Sequence, residues 1–299
     1  SQARYSNIPF CNIPDDPYLF ISDVLFARKL IQNDMVIWWS ASPMPDLGGR
    51  EEDESLAMTS EIVNTELSFP GAYETVCVEI DVVRLCLNTI IEANVINELE
   101  GATGGLGGFD TSNYTLDDFA HGNVSNAAAF GENMISGKTF GMLRSVVQLW
   151  FHQAITDKTN RYGEHMIDTL HRWLLSTNSF MYDPSLYSLI HSMMKKVFMQ
   201  LVAEFKRLGA TIVFANFHKI VLTTNKETME SAMPYFQYLY RSIQRKQVFE
   251  VLELNPTHYW DVLMWMDEKN YAGVMIKAED HAAQPAQREQ ATITKKWNI

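Results

Sequence analysis

Cysteine is scarce in this chain: its 299 residues hold three, Cys11, Cys77 and Cys86, and no CxxC pair. That excludes a disulfide framework, and with no HxxxH pair either it excludes zinc ligands at their usual spacing. A reducing, intracellular compartment is the expectation. No apolar run approaches the roughly 20 residues that a membrane span requires, and the opening SQARYSNIPF lacks the basic and apolar blocks of a signal peptide. A soluble chain without membrane contact is expected, its sequons at Asn113 and Asn123 arising by chance. Positive charge is also in deficit, with 24 Lys and Arg against 36 Asp and Glu. The imbalance is local: residues 1–100 carry 17 acids and 5 bases, residues 101–200 carry 8 and 7, and residues 201–299 carry 11 and 12. Phosphate binding depends on clustered Lys and Arg, so a general nucleic-acid-binding surface is disfavoured and only a local groove stays open.

Apolar side chains are plentiful. Hydrophobic residues make up 46% of the chain and aromatics 12%, enough to offset the entropy of ordering it and to exclude a disordered or fibrous protein. One to two domains fit the length.

Residues 1–17 are broken by Pro9, Pro14 and Pro17, and a helix is predicted over 18–33, capped by Asp15 or Asp16. The stretch 42–66, with EEDE at 51–54, reads as a solvated acidic loop. TVCVEIDV at 75–82 is β-branched and almost continuously apolar, the pattern of a central strand. A packed helix is predicted over 85–99. Residues 101–137 are rich in Gly, Asn and Asp without period and read as a long mobile loop. Helices follow at 138–157, 161–176 and 184–208, the last opened by Asp183-Pro184 and closed at Gly209. Strands at 210–216 and 219–224 form a hairpin. A helix at 227–245, a strand at 247–254 and a Trp-rich segment at 258–275 complete the order, before an Ala/Gln-rich tail. GATGGLGG at 101–108 follows a helix rather than a strand, so it is no phosphate loop. Trp260, Leu263, Met264 and Met266 read as a core stripe. His165 and His171 lack metal spacing, and Lys195-Lys196 with Lys206-Arg207 read as a solvated helix face.

The strand ending in Ile80-Asp81 and the hairpin tip Phe214-Ala215-Asn216-Phe217-His218-Lys219 carry the chemistry question. GAYETVCVEIDVVRLCLNTII at 71–91 resembles the first carboxylate motif of family B DNA polymerases, in which Asp opens a DxxSLYPS string. TIVFANFHKIVL at 211–222 resembles their hairpin motif, YGDTDS, and FARKLIQNDMVIWWSASPMPDLGG at 26–49 resembles the lead from exonuclease to palm. More narrowly, YSNIPFCNIP, the WWS at 38–40, EFKRLGATIVFANF and the closing KKWNI are similar to the non-catalytic C-terminal half of DNA polymerase epsilon large subunits. The resemblance implies an α+β fold, a degenerate palm with a fingers-like helical insertion. Its parts would be a lead-in and first palm part at 1–100, a mobile loop and insertion at 101–195, a second palm part at 196–277, and a linker at 278–299 toward a thumb.

The motifs are defective. Asp81 survives, but the string becomes Leu85-Cys86-Leu87-Asn88 after Arg84, with Cys86 at the position of the tyrosine beneath the incoming sugar. Asn216 and His218 replace the hairpin acids, and Lys219 takes the serine position. Two Mg²⁺ ions require hard oxygen ligands, which one Asp, one amide and one imidazole do not supply. The KxxxNSxYG helix is missing, echoed only by Lys158-Thr159-Asn160-Arg161-Tyr162-Gly163 at the wrong spacing. Asp81, Asn216, His218 and Cys86 are thus expected as vestigial positions, with Asp81 in a structural role and no catalytic, cofactor or metal residue in this chain. The resemblance implies a non-enzymatic scaffold in a nuclear replication assembly. Its partners would be the catalytic half of the same polypeptide, the polymerase epsilon B subunit and the replicative helicase of Cdc45, MCM and GINS, with DNA contact weak. The parent subunit would use Mg²⁺ and would bind zinc or an iron-sulfur cluster outside this chain. The alternatives are a nucleotidyltransferase using Asp81 with Glu79 or Asp183, and a passive primer-template binding module.

Overall fold

The computed structural model describes residues 2–37, 65–99, 137–156 and 161–276. The expectations for Trp38-Trp39-Ser40, the acidic run at 51–54, the glycine-rich insertion, the tail and the closing KKWNI lie outside these residues. The chain divides into two units, Ser1–Ile62 with Thr89–Met193, and Val63–Asn88 with Met194–Ile299. Among the described residues no helix is long and apolar enough to cross a membrane.

The first unit is helical. Its described elements are α1 (Gln2–Ser6), α2 (Pro17–Gln32), α4 (Ala93–Leu99), α5 (Gly137–Thr156) and α6 (Tyr162–Leu175), α3 being the short helix Leu85–Ile91 that spans the division. Asp16 caps α2 by accepting from the Leu19 amide, with Pro17 in the first turn where its missing N–H costs nothing. Trp173 of α6 packs edge-on against Trp150 of α5 and Phe26 of α2, with ring centroids 6.2 and 5.7 Å apart. Its indole N–H donates to buried Asp23 at 2.7 Å, and that carboxylate also accepts from Ser179 Oγ at 2.5 Å and the Phe180 amide at 3.0 Å. Gly163 brings α6 against the α5 backbone, where an added Cβ would stand 2.8 Å from the Trp150 carbonyl oxygen. The glycine of the Tyr162-Gly163 echo is therefore required for helix packing. Tyr162 stacks on Tyr5 of α1 at 5.1 Å.

The second unit is built on an antiparallel sheet. Its strands are β1 (Leu67–Ser68), β2 (Gly71–Tyr73), β3 (Cys77–Val83), β4 (Thr211–Ala215), β5 (Lys219–Thr223), β6 (Glu253–Trp265) and β7 (Tyr271–Met275). They run in the path β1-β4-β5-β3-β6-β2, with β7 on β6. β3 lies between β5 and β6, as its continuous apolar pattern predicts. Helix α7 (Pro184–Arg207) precedes β4, and α8 (Met229–Gln244) follows β5. Asp183 caps α7 through the Leu186 amide. At the other end Gly209, at φ 92°, donates to the Lys206 carbonyl while Ala210 donates to that of Phe205. This is a Schellman turn, which needs a left-handed residue at that position.

The sheet curls. In a flat sheet β4 and β6 would stand about 14 Å apart, with β5 and β3 between them. Yet Phe214 of β4 and Trp265 of β6 have ring centroids 5.0 Å apart, and the Trp265 indole donates to Ser68 Oγ of β1 at 3.2 Å. The concave side encloses Cys77, Val213, Phe214, Val221, Trp260, Leu263 and Trp265.

Three expectations change. The strand expected at 247–254 is a 3-10 turn, Gln247–Phe249, and β6 begins only at Glu253. The Asn88 side chain bonds Val248 and Val251 and withdraws their backbone from any ladder. The Trp and Met stripe falls on β6 and just past its end: Trp260, Leu263 and Trp265 are buried, an irregularity between Trp260 and Val262 shifting the two-residue alternation, while Met264 and Met266 are exposed. The helix expected at 85–99 is two, α3 and α4.

Candidate functional site

Pairing brings the end of β3 to the tip of the β4–β5 hairpin. Asp81 faces Lys219 across the β3–β5 ladder and Asn255 on the β6 side. The Val82 amide donates to the His218 carbonyl at 2.7 Å. Asp81, Asn216 and His218 therefore converge at one end of the sheet. The fourth expected position, Cys86, is buried in α3 together with Leu85 and Leu87. Burial pushes its thiol up to about 12.

The tip is a closed hydrogen-bonded turn. Asn216 Oδ1 accepts from the amides of His218 at 3.0 Å and Lys219 at 2.7 Å, and the Asn216 amide donates to the Lys219 carbonyl at 2.8 Å. Its Nδ2 donates to Glu268 Oε1 at 3.1 Å, tying this tip to the β6–β7 turn. An aspartate here could keep the two turn bonds but would set a second carboxylate against Glu268.

Below the tip, alternation puts Cys77, Glu79 and Asp81 on the same face of β3. Glu79 is 5% exposed. Lys219 Nζ lies 2.5 Å from its Oε1, and His258 Nδ1, from β6, lies 3.3 Å from its Oε2. Burial by itself would lower the Lys219 pKa. The hydrogen bond and charge of Glu79, with Tyr271 and Asp81 adding to them, outweigh burial and hold the ammonium above the usual lysine range. Tyr271 is stacked on Trp265 at 5.1 Å, so the charged cluster borders the aromatic core of the concave face. A pair of Mg²⁺ ions, which the polymerase resemblance implies at this position, does not fit these donors. One candidate carboxylate is taken by an ammonium, and the amide that replaces a hairpin acid already uses both its ends. Among the described residues no group of three or more His, Cys, Asp or Glu could hold a metal ion. Asp183, the other alternative carboxylate, serves as the α7 cap.

The positions after Asp81 are structural. Arg84 takes a left-handed conformation, φ 65°, and pairs with Glu253 at the start of β6. Asn88 is fully buried, donating from Nδ2 to the Val248 carbonyl at 2.8 Å and accepting on Oδ1 from the Val251 amide at 3.2 Å. Sequence reading named Glu79 and Lys219 but missed their pairing, and it missed His258, Glu268 and the anchoring by Asn88. The register of β3 against β5 carried the first signal, since it sets Lys219 beside both acids. No local pattern marks the others, which come from segments more than 50 residues away.

Fold and site together define a mixed α+β protein in which an acid-bearing strand and the tip of a β-hairpin meet on a curled antiparallel sheet. Residues 1–274 match the model of a domain of unknown function, DUF1744, and the chain belongs to that family. It is 34% identical over 297 residues to the DNA polymerase epsilon catalytic subunit of Schizosaccharomyces pombe, covering 99% of this chain and 13% of that protein. The same subunit of Dictyostelium discoideum is 34% identical over 310 residues, 92% of this chain and 13% of the relative. That of Saccharomyces cerevisiae is 33% identical over 304 residues, again 99% and 13%. The chain thus spans about an eighth of the relatives it matches, in a C-terminal region of that subunit.

Proposed function

We propose that this chain is a degenerate family B polymerase palm, retained without chemistry as a structural module of DNA polymerase epsilon in nuclear DNA replication. In this role it joins the catalytic half of the polypeptide to the B subunit and to the replicative helicase. One observation carries the reading: the Lys219 ammonium is bonded to Glu79 beside Asp81, where a polymerase would need carboxylates free for two divalent ions. The surroundings agree with it. The hairpin tip offers a bonded amide in place of an acid, and the tyrosine position is a core thiol. Aromatic rings fill the concave face on which a primer terminus would have to lie.

Primer extension with Mg²⁺ or Mn²⁺ tests the absence of chemistry. No incorporation above background is expected. Template-dependent incorporation that Asp81→Ala abolishes would overturn the proposal, and salt-sensitive binding to a primer-template at roughly 50 mM salt would favour a passive DNA-binding module instead. Co-purification with the B subunit, lost when this segment is deleted from the full-length subunit, tests the scaffold role.

A further inference from the structure

We infer that Lys219 is a built-in cation that replaces a divalent metal ion at the Glu79–Asp81 pair, so that this centre is stable without metal and excludes it. The inference rests on the palm reading above for the origin of the two acids, while the charge balance stands on the geometry alone. Glu79 and Asp81 are two residues apart on β3 and so share a face, with Cα atoms about 7 Å apart. Both are acids on a face that otherwise borders the core. A carboxylate as buried as Glu79 requires a compensating charge or full hydrogen bonding. It is engaged from both neighbouring strands, at Oε1 by Lys219 of β5 and at Oε2 by His258 of β6. Lys219 is the ladder partner of Asp81, not of Glu79, so its side chain crosses the face to reach the more buried acid. There the ammonium sits 2.5 Å from Oε1 and occupies the space that a divalent ion would need to bind that oxygen. A divalent ion could bind Glu79 only by expelling the ammonium or by enduring its repulsion. Because Lys219 is tethered to the adjacent strand, its effective concentration at Glu79 exceeds that of free ions in the millimolar range.

The test compares wild-type chain with Lys219→Met, using thermal denaturation and Mn²⁺ binding followed by electron paramagnetic resonance. Wild-type protein is expected to keep its melting midpoint in millimolar Mn²⁺ and to bind none of it specifically. Lys219→Met should melt on the order of 10 °C lower, because Glu79 is left buried without its counter-charge. Millimolar Mn²⁺ should restore much of that loss and give a bound-ion signal. Should Lys219→Met fail to fold alone, refolding it with and without Mn²⁺ gives the same comparison. The double variant Glu79→Gln/Lys219→Met should fold and be indifferent to the ion. The inference is overturned if wild-type protein binds Mn²⁺ as tightly as Lys219→Met, or if that variant responds to no divalent ion. Mn²⁺ binding by wild-type chain without nucleotide incorporation would sink this inference and leave the scaffold reading standing; incorporation would sink the scaffold reading itself.

Discussion

Replacing Asn88 with alanine should strongly destabilise the sheet unit. Asn88 is fully buried near the start of the described helix α3. Here it bonds the Val248 carbonyl at 2.8 Å and the Val251 amide at 3.2 Å, 160 and 163 residues away. Each bond contributes about 1 kcal/mol net, but alanine also strands two buried backbone groups, each costing about 1–3 kcal/mol unless water reaches them. Val248 and Val251 are themselves only 6% and 7% exposed, so water has little access. The two stranded groups together set an expected cost of about 2–6 kcal/mol, read as a shift in the urea midpoint at neutral pH by tryptophan fluorescence. Hydrogen exchange adds a local readout, since the Val251 amide should lose protection more than amides of the β3–β5 ladder. Asn88→Asp should be no better: it keeps an acceptor for Val251 but turns a carboxylate oxygen toward the Val248 carbonyl. A cost for Asn88→Ala below about 1 kcal/mol, the range of ordinary surface substitutions, would refute the anchoring role.

Thiol labelling of native protein should modify Cys11 alone, since it is exposed, whereas burial raises the Cys77 thiol to about 11 and the Cys86 thiol to about 12. Counting labelled thiols by mass spectrometry before and after unfolding checks this, and native modification of Cys86 would refute its core placement. Glu204 gives a pH signature. Burial would raise its pKa, but its bonds and charges with Lys246 and Arg207 outweigh burial and lower it. Its contribution is therefore present above its unfolded pKa of about 4.3 and is lost as pH falls through the lower folded value. Stability curves of wild type and Glu204→Gln should run apart at neutral pH and converge in acid; a constant separation down to pH ~3 would contradict the assignment.

Local sequence rules located the elements whose causes are local. Asp183-Pro184 and Gly209 mark the ends of α7 because a cap and a left-handed turn each involve residues within one turn of helix. The central position of β3 was legible because burial on both faces leaves a continuous apolar run. The start of β6 was not. Val248, Phe249, Val251 and Leu252 read as strand by composition, but Asn88 engages the backbone of Val248 and Val251 from the far side of the sequence. Nor did the exposure of Met264 and Met266 follow from the count of apolar residues, since it depends on strand alternation for Met264 and on where β6 ends for Met266.

The candidate site divides in the same way, and the division bears on what kind of degeneration it is. That Asn216 and His218 stand where the polymerase resemblance expects acids is visible in the sequence. Lys219 is equally visible but acquires meaning only through register, which places it opposite Asp81 and within reach of Glu79. Asn216 likewise reads as a lost ligand until Glu268 appears as the acceptor of its amide. Lys219 and Asn216 thus each make a side-chain contact with an acid, Glu79 and Glu268. Placing an acid at the hairpin tip is therefore expected to cost stability: Asn216→Asp would set a carboxylate against Glu268, to which the Asn216 side chain now donates.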